Sequence, residues 1–448
     1  MEHWITGPGG RAPMSDVAIG CCGLILILVL LAFRVPIAIT LISVSIGGIW
    51  VLLGDRPALG ALRTIPYQFV SHWSLSAIPM FLLMGAVAFH SGLVSSLYNA
   101  ARLWLCRLPG GLAIASNFAC AGFAAASGSS VATASAMGRI AVPEMLKYRY
   151  DQGLATGVVA AAGTLGSLIP PSILMVLYGT FSESSIGRLM IAGILPGILT
   201  AMLYAVMIWV RCVLKPELAP RVDILPSWRE RFAALAGVWP MPLLILGVIG
   251  GLYGGLVTAT EAGALGAILA FVIAVLYRRL TWAVVWRSLR DTLTGSAVIF
   301  FVSIGAVLLS RFVALSGVPQ ALVDVFNSVG LDGYFVVVFC GAVFLFLGMF
   351  LDPIGLMLIA LPVMLPMIEG SGFDLIWFGI LTIKFVEIGL ITPPVGLSVY
   401  TIKSVVGDQV PLTRIFSGIG WFLVCELIVV VLLVLFPQIA LFLPGLMK

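Results

Sequence analysis

The chain has 448 residues, of which 61% are hydrophobic and only 10% are charged. Soluble domains carry about 25% charged residues, so the composition argues against a large soluble helical protein, whose outer helices need polar faces. The formal net charge is +5. We expect the partner of this apolar surface to be a lipid bilayer, and we expect no nucleic-acid partner. The composition therefore predicts an all-α polytopic membrane protein.

Apolar stretches long enough to cross a bilayer, which takes roughly 20 residues, recur along the chain. A polar segment, 1–16, precedes the first one, and we expect no cleaved signal peptide because a full span follows it. The first half, 17–210, is predicted to hold spans near 17–33, 35–53, 75–90 and 187–211, a broken span at 152–181, and an interfacial amphipathic helix at 58–70. A basic cytoplasmic connection, 211–233, leads to the second half, 234–443. That half is predicted to hold spans near 234–255, 262–277, 292–313 and 416–443 and a broken span at 375–402, with a tail at 444–448.

Each broken span contains a double proline. The first is Pro170-Pro171 and the second is Pro393-Pro394, so the two breaks lie 223 positions apart. A proline removes a backbone donor and clashes with the preceding turn, so two in a row unwind a helix. Freed carbonyls in a bilayer are tolerated only where they line a cavity or face protein. Paired breaks at matching positions of two halves therefore point to a transporter's binding site.

Two segments of about 30 residues, 111–142 and 333–367, are flanked by residues of opposite charge. Lys and Arg flank the first, whereas the chain has no Lys or Arg between Arg311 and Lys384. The links there carry Asp324, Asp332, Glu369 and Asp374. Because short loops rich in Lys and Arg stay cytoplasmic, the first segment should begin and end inside and the second outside. Arms of roughly 15 residues reach about 22 Å, so we expect two re-entrant helical hairpins in an inverted-topology repeat.

The hairpin tips and the two breaks are rich in small and hydroxyl residues. Asp352, at the second tip, is either the N-cap of the next arm or an ion ligand, since a charge at that depth is a functional-site hypothesis by default. Unwound carbonyls attract a hard cation and half-helix N-termini attract a carboxylate, which suits cotransport of Na⁺ with an anion. The predicted Na⁺ ligands are Ser127, Gly128, Ser129, Thr133, Gly163, Thr164, Pro170, Gly348, Asp352, Gly389, Thr392 and Pro394. The candidates for substrate binding are Ser130, Ser172, Gly396 and Lys384.

In this order and spacing, the motifs resemble the large membrane subunit of tripartite ATP-independent periplasmic (TRAP) transporters. The resemblance runs from about Leu24 to Leu443, and its strongest pieces are 127–133, 160–172, 348–352 and 387–396. It implies an elevator-type secondary transporter of the bacterial inner membrane, with a plan like that of the ion-transporter superfamily, and not an enzyme. It also implies an organic-acid substrate and two partners, a small four-span membrane subunit and a periplasmic substrate-binding protein.

Alternatives remain for the whole chain and for single residues. A one-component dicarboxylate carrier or a Na⁺/H⁺ antiporter would share the inverted-hairpin plan. An intramembrane enzyme is disfavoured because the sequence has no HExxH or GxSxG motif, and the scattered His and Cys residues predict no transition-metal site. Lys384 either pairs with Glu387 on the same helix face or contacts an anionic substrate. Glu261 is a candidate for a helix N-terminal charge, and Glu426, in the middle of the last span, is a candidate for a contact with a partner subunit; the sequence does not decide either role.

Overall fold

The computed structural model describes residues 15–220, 226–329 and 333–447. Most of the predicted N-terminal segment, part of the connection at 211–233, Asp332 and the last residue of the tail lie outside these ranges. Every regular element within the described ranges is a helix. The prediction of an all-α chain is therefore confirmed.

The first half of the chain forms twelve α-helices, with a short 3₁₀ turn at Trp73–Ser76. In chain order they are α1 (Asp16–Ala32), α2 (Ile37–Leu53), α3 (Asp55–Val70), α4 (Ala77–His90), α5 (Leu93–Leu105), α6 (Gly111–Ser127), α7 (Ser130–Lys147), α8 (Gln152–Gly163), α9 (Leu165–Leu168), α10 (Ile173–Phe181), α11 (Ile186–Ala192) and α12 (Ile194–Leu214).

The described part of the second half forms eleven more. They are α13 (Trp228–Ala236), α14 (Pro240–Tyr253), α15 (Ala259–Leu276), α16 (Trp282–Ser316), α17 (Val318–Val329), α18 (Gly333–Gly348), α19 (Pro353–Gly370), α20 (Leu375–Ile391), α21 (Leu397–Val406), α22 (Leu412–Leu435) and α23 (Gln438–Gly445).

Both predicted hairpin segments are pairs of helices joined by a short turn, α6 with α7 and α18 with α19. Their second arms extend beyond the predicted ends, to Lys147 and Gly370. Both broken spans are present as well. The α8–α9 stretch meets α10 at 44° at the first double proline, and α20 ends at Ile391, just before the second. The re-entrant placement of the hairpins in a bilayer stays a prediction.

Several element bounds differ from the predicted ones. The predicted span at 416–443 is two helices, because Pro437 cannot continue α22. The α16 helix has 35 residues, far more than the predicted 292–313. In the described chain, six helices are long and apolar enough to cross a membrane, or up to eight if each bent pair is one span. The chain is thus a multi-pass membrane protein, and the count of ten spans stays a prediction.

Two amphipathic helices, α5 and α17, were absent from the predicted spans. Each begins directly after a glycine with left-handed backbone, Gly92 with φ of 74° and Gly317 with φ of 70°. That conformation costs other residues about 1 kcal/mol or more, so glycine ends one helix there and lets the chain turn into the next. A third amphipathic helix, α3, is confirmed, with Ala58, Ala61 and Ile65 buried along one face.

Buried apolar side chains form two clusters. The larger runs through both hairpin and broken-helix segments and reaches α22. The smaller joins α1, α2 and α3 to α16 and to part of α19. The candidate binding residues at the first hairpin tip and both breaks are carried by helices of the larger cluster.

Helices α8 and α22 pack backbone against backbone. A Cβ atom added to Gly418 would lie 1.9 Å from the carbonyl oxygen of Gly153, and one added to Gly157 would lie 2.8 Å from the Gly418 carbonyl. Small residues spaced four apart allow this approach, which membrane helices use in place of a hydrophobic driving force. The contact holds the first broken helix against the last long helix.

We therefore expect Gly418→Ala to lower the free energy of unfolding by about 1–3 kcal/mol, the usual cost of overpacking. Gly420→Ala is the matched control, since a Cβ there has no neighbour within 4 Å. Thermal unfolding of the purified variants in detergent measures the difference. Equal melting temperatures for the two variants would contradict the close α8–α22 contact.

Candidate functional site

The tip of the first hairpin collects three oxygen atoms. The hydroxyls of Ser127 and Thr133 lie 2.7 Å apart, and the Thr133 hydroxyl donates to the Ser129 carbonyl at 2.8 Å. The Ser127 hydroxyl lies 3.4 Å from the same carbonyl. Gly128, with φ of 63°, ends α6, and the Ser129 side chain caps α7 by accepting from the Ala132 amide at 3.4 Å. The turn between the two arms thus directs hydroxyl and carbonyl oxygens to one point.

The first break lies directly against this tip. The Ile173 amide donates to the Gly128 carbonyl at 3.2 Å, and a Cβ on Gly128 would lie 2.8 Å from the Pro171 carbonyl oxygen. Gly166 lies closer to the tip than Gly128 lies to the break. A Cβ added to Gly166 would lie 2.5 Å from the Ser129 carbonyl oxygen and 2.8 Å from the Thr133 hydroxyl. The sequence prediction did not include Gly166 among the Na⁺ ligands, although this residue lies within 160–172, one of the segments that carry the family resemblance.

The other predicted residues of the first break are buried around the same point. Gly163 packs against Ala134, and a Cβ added to Gly163 would lie 2.7 Å from the Ala134 Cβ. Thr164 donates to the Ala161 carbonyl of its own helix at 2.6 Å, and Ser172 caps α10 by accepting from Met175 at 3.4 Å. Pro170 and Ser172 are both buried. Ser130 is buried as well, with its hydroxyl 3.2 Å from that of Ser167.

The second tip and the second break also meet through glycine. A Cβ on Gly389 would lie 2.7 Å from the Gly348 Cα atom, so α18 and α20 touch through their backbones. Asp352 is half-buried and caps α19 by accepting from the Gly355 amide at 3.0 Å. Its expected role as an N-cap is confirmed, and its role as an ion ligand stays a prediction.

The residues of the second break are more exposed than those of the first. Thr392 ends α20 and donates to the Ile388 carbonyl at 2.6 Å. Pro393 and Pro394 are exposed, whereas Pro170 and Pro171 are buried. Gly396 has left-handed backbone and begins α21. The two halves therefore place similar local structures in different surroundings.

A cavity of about 240 Å³ opens beside the first tip, between α4, α7 and α16. Ser127 and Ser129 line the cavity together with Arg139, an exposed cation on α7, the second arm of the first hairpin. Asp291 lines it too, with its carboxylate 2.8 Å from the His90 ring. The sequence prediction missed Arg139, although an ionised side chain in the middle of a predicted re-entrant arm is itself a signal of function.

Lys384 lies in a buried ionic cluster away from that cavity. It pairs with Glu426, and its ammonium also donates to the Thr200 hydroxyl at 3.3 Å. The Tyr204 hydroxyl donates to the other carboxylate oxygen of Glu426 at 2.5 Å. The expected pair with Glu387 is therefore wrong, because α22 brings a carboxylate to the side chain of Lys384. Glu426 is only 1% exposed, so the suggested contact with a partner subunit is wrong as well.

Two groups near helix ends have clear structural roles. Glu261 forms a capping box with Thr258, accepting from its amide at 2.8 Å, which confirms the suggested N-terminal charge. At the base of the first hairpin, the Leu112 amide donates to the Tyr150 hydroxyl at 3.2 Å. Burial raises the pKa of Tyr150 to about 12, so this hydroxyl stays neutral at physiological pH and continues to cap α6.

Comparison with known proteins identifies the family. The family described as "Tripartite ATP-independent periplasmic transporter, DctM component" matches residues 24–439. The chain belongs to the DctM family. It is 35% identical to the C4-dicarboxylate TRAP transporter large permease protein DctM of Pseudomonas aeruginosa, over 89% of this chain and 92% of that protein. It is 33% identical to the ectoine TRAP transporter large permease protein TeaC of Halomonas elongata, over 94% and 97% of the two chains.

Among solved structures, the chain resembles the YdaH transporter of Alcanivorax borkumensis, with a TM-score of 0.57 over 86% of this chain and 90% of that one. The sequence identity is 15%, so this likeness concerns the fold alone. Membership in the DctM family makes the chain a component of a tripartite transporter and not an enzyme. The structural features described above, the oxygen-lined tip and the adjacent cavity, are thus the candidate transport site of a DctM protein.

If the first tip binds Na⁺, Gly166→Ala should weaken that binding by roughly tenfold or more. The added Cβ must displace the Ser129 carbonyl or the Thr133 hydroxyl, and displacements near 1 Å cost up to about 10²-fold in positioned sites. The measurement is the rise in melting temperature of the purified protein with Na⁺ concentration. Gly187→Ala is the control, since its nearest neighbour would be 3.9 Å away. A Na⁺ response equal to that of the control would remove Gly166 from the site.

Proposed function

We propose that the chain is the membrane-embedded translocating subunit of a Na⁺-coupled secondary transporter that imports an organic acid across the bacterial inner membrane. A periplasmic binding protein delivers the substrate, and a small four-span membrane subunit completes the assembly. The single observation that carries the proposal is the oxygen cluster of Ser127, Ser129 and Thr133 beside a cavity that also contains Arg139.

The donor set at the first tip supports Na⁺ as the coupling ion. Two hydroxyls and a backbone carbonyl are hard oxygen ligands, and half-helix C-termini and unwound carbonyls coordinate Na⁺ in other transporters with broken helices. Here the C-terminus of α6 and the turn at Gly128 supply such carbonyls. In the second half, Asp352 at the tip supplies a carboxylate, and Thr392 at the break supplies a hydroxyl. These residues make up a second Na⁺ site in the proposal.

The cavity beside the tip supports an anionic substrate. Arg139 carries a fixed positive charge and can bind a carboxylate through two parallel hydrogen bonds. The N-terminus of α7, capped by Ser129, adds a partial positive charge on the same side. Asp291 also lines the cavity, but its carboxylate lies 2.8 Å from the His90 ring, so the side formed by Arg139 and the α7 terminus is the one that favours an organic acid. The related proteins named for C4-dicarboxylates and for ectoine differ in substrate, so the particular acid is not part of the proposal.

The packing supports an elevator-type movement. Each tip contacts the broken helix of its own half through backbone atoms, so tip and break would move as one unit. On the other side, α4 passes close to the tip, where a Cβ on Gly85 would lie 2.9 Å from the Ala126 carbonyl oxygen. This close approach, which has no side chain at position 85, suits sliding of the hairpin past α4. In the proposal, the two hairpins and the two broken helices move together past the remaining helices.

The decisive experiment is uptake into proteoliposomes that contain both membrane subunits, with purified binding protein outside and an imposed Na⁺ gradient. Uptake that needs both the gradient and the loaded binding protein supports the proposal. Robust uptake of free substrate without the binding protein would favour a one-component carrier, and exchange of Na⁺ for protons without substrate would favour an antiporter.

Asp352→Asn should weaken the Na⁺ activation of this uptake much more than it weakens folding. Asparagine is as good an N-cap as aspartate, so the hydrogen bond to Gly355 is kept while the charge is lost. We expect the Na⁺ concentration for half-maximal uptake to rise by about tenfold or more, since hydrogen bonds and contacts of charged groups contribute about 1.5–3 kcal/mol.

Asp374→Asn is the matched control for this change. Asp374 caps α20 by accepting from Ile376 at 2.7 Å and from Trp377 at 3.1 Å, and it takes no part in the proposed sites. If Asp352→Asn and Asp374→Asn show the same Na⁺ dependence as the parent protein, Asp352 is a helix cap and nothing more.

Arg139→Gln should raise the KM for an anionic substrate by about tenfold or more while leaving Na⁺ activation unchanged, because it removes a charge-assisted contact. Arg188→Gln, at an exposed position on α11 outside the cavity, serves as the control. Concentration-dependent uptake in the same proteoliposomes measures both. An unchanged KM in Arg139→Gln would place the substrate elsewhere.

A further inference from the structure

An apolar groove with a basic end runs between α12 and α22, on the outer surface of the molecule. Its volume is about 490 Å³. The apolar lining side chains are Leu203, Val206, Met207, Val210, Leu214 and Ile428. At one end lie Arg211 and Lys215, with Trp421 beside them and Val424 further along. The proposed transport site does not use this groove.

The basic end is held in place. The guanidinium of Arg211 lies over the Trp421 ring, 5.5 Å from its centroid, so the side chain is fixed by a cation–π contact. Its Nη1 atom is buried and has no hydrogen-bond partner among the residues that the structure describes. Lys215 is exposed and follows Arg211 by four residues, one turn along the chain. Two cations therefore line the same end of the groove.

The length of the groove matches one leaflet of a bilayer. Its α12 residues run from Leu203 to Leu214, a rise of about 16 Å at 1.5 Å per residue, which is half of a hydrocarbon core of about 30 Å. The basic end begins the Lys- and Arg-rich connection after α12, so in the proposed topology it lies at the cytoplasmic surface, where anionic lipids are found. The inference rests on that proposed membrane placement.

We propose that this groove binds one anionic phospholipid of the cytoplasmic leaflet. The phosphate lies between Arg211 and Lys215, where the guanidinium can donate two parallel hydrogen bonds to it. An acyl chain lies along the apolar face of α12 and α22, and each buried CH₂ contributes to binding. Basic pockets between membrane helices on the cytoplasmic side bind such headgroups. The charge at the groove's end favours this occupant over a zwitterionic lipid or a helix of another protein.

The test is lipid retention by the purified full-length chain in detergent, measured by native mass spectrometry after adding phosphatidylglycerol or phosphatidylethanolamine. We expect one phosphatidylglycerol to be retained in preference to phosphatidylethanolamine. The double variant Arg211→Ala with Lys215→Ala should weaken this binding roughly 25-fold, about fivefold for each basic side chain. Arg287→Ala, which removes an exposed arginine outside the groove, should bind as the parent does.

A second variant tests the part of the groove that would bind the acyl chain separately from the part that would bind the headgroup. Val424 is 50% exposed, so Val424→Trp should fill the groove without unfolding the protein, which thermal melting verifies. We expect it to abolish lipid retention although both basic residues remain. Glycerol 3-phosphate, a headgroup without acyl chains, should not compete with the lipid.

Three results would overturn the proposal. The first is equal retention of both lipids, or full retention in the double variant. The second is competition by glycerol 3-phosphate at equal concentration, which would indicate a phosphate site only. The third is a dimer that Val424→Trp dissociates with no lipid retained, which would assign the groove to a second copy of the chain. Uptake is not the readout, so failure here leaves the transport proposal to be judged by its own experiment.

Discussion

Close backbone contact between each hairpin tip and the broken helix of its own half is the constraint on which the candidate site depends. At Gly128 and at Gly348 with Gly389, the approach is possible only because no Cβ intervenes. The contact brings carbonyl oxygens of the turn next to carbonyls freed by the prolines, where side chains would otherwise separate them. At the first tip, the hydroxyls of Ser127 and Thr133 add to these carbonyls, so a cluster of oxygen atoms lies inside a largely apolar interior. A bulkier residue at any of these glycines would separate the two elements.

Local features of the sequence were enough to find the main parts of this site. Double prolines and left-handed glycines act through the chain's own backbone, so the breaks, the tips and the capping role of Asp352 could be predicted without tertiary information. The alternation of basic and acidic flanks located the hairpin segments. The family could be recognised because these short signals occur in a fixed order over nearly the whole chain.

Other features depend on contacts between distant segments and could not be predicted. The partner of Lys384 was expected on its own helix, yet α22, 42 residues further along, supplies it through Glu426. Arg139 gains its importance from α4 and α16, which close a cavity around it. The helices α5 and α17 have too few apolar residues in a row to look like spans. In each case the deciding neighbour comes from elsewhere in the chain, where periodicity and spacing carry no information.

The buried pair of Lys384 and Glu426 has a consequence for how this protein can change over evolution. Loss of either partner alone leaves a full charge in a medium of low dielectric constant, which is strongly destabilising. Replacement of both by apolar side chains of similar volume is often neutral or even favourable. Descendants should therefore keep both residues or lose both, with few sequences in between. The Tyr204 hydroxyl donates to Glu426. In sequences that have lost both charged residues this hydroxyl would have no acceptor, so phenylalanine should replace the tyrosine there.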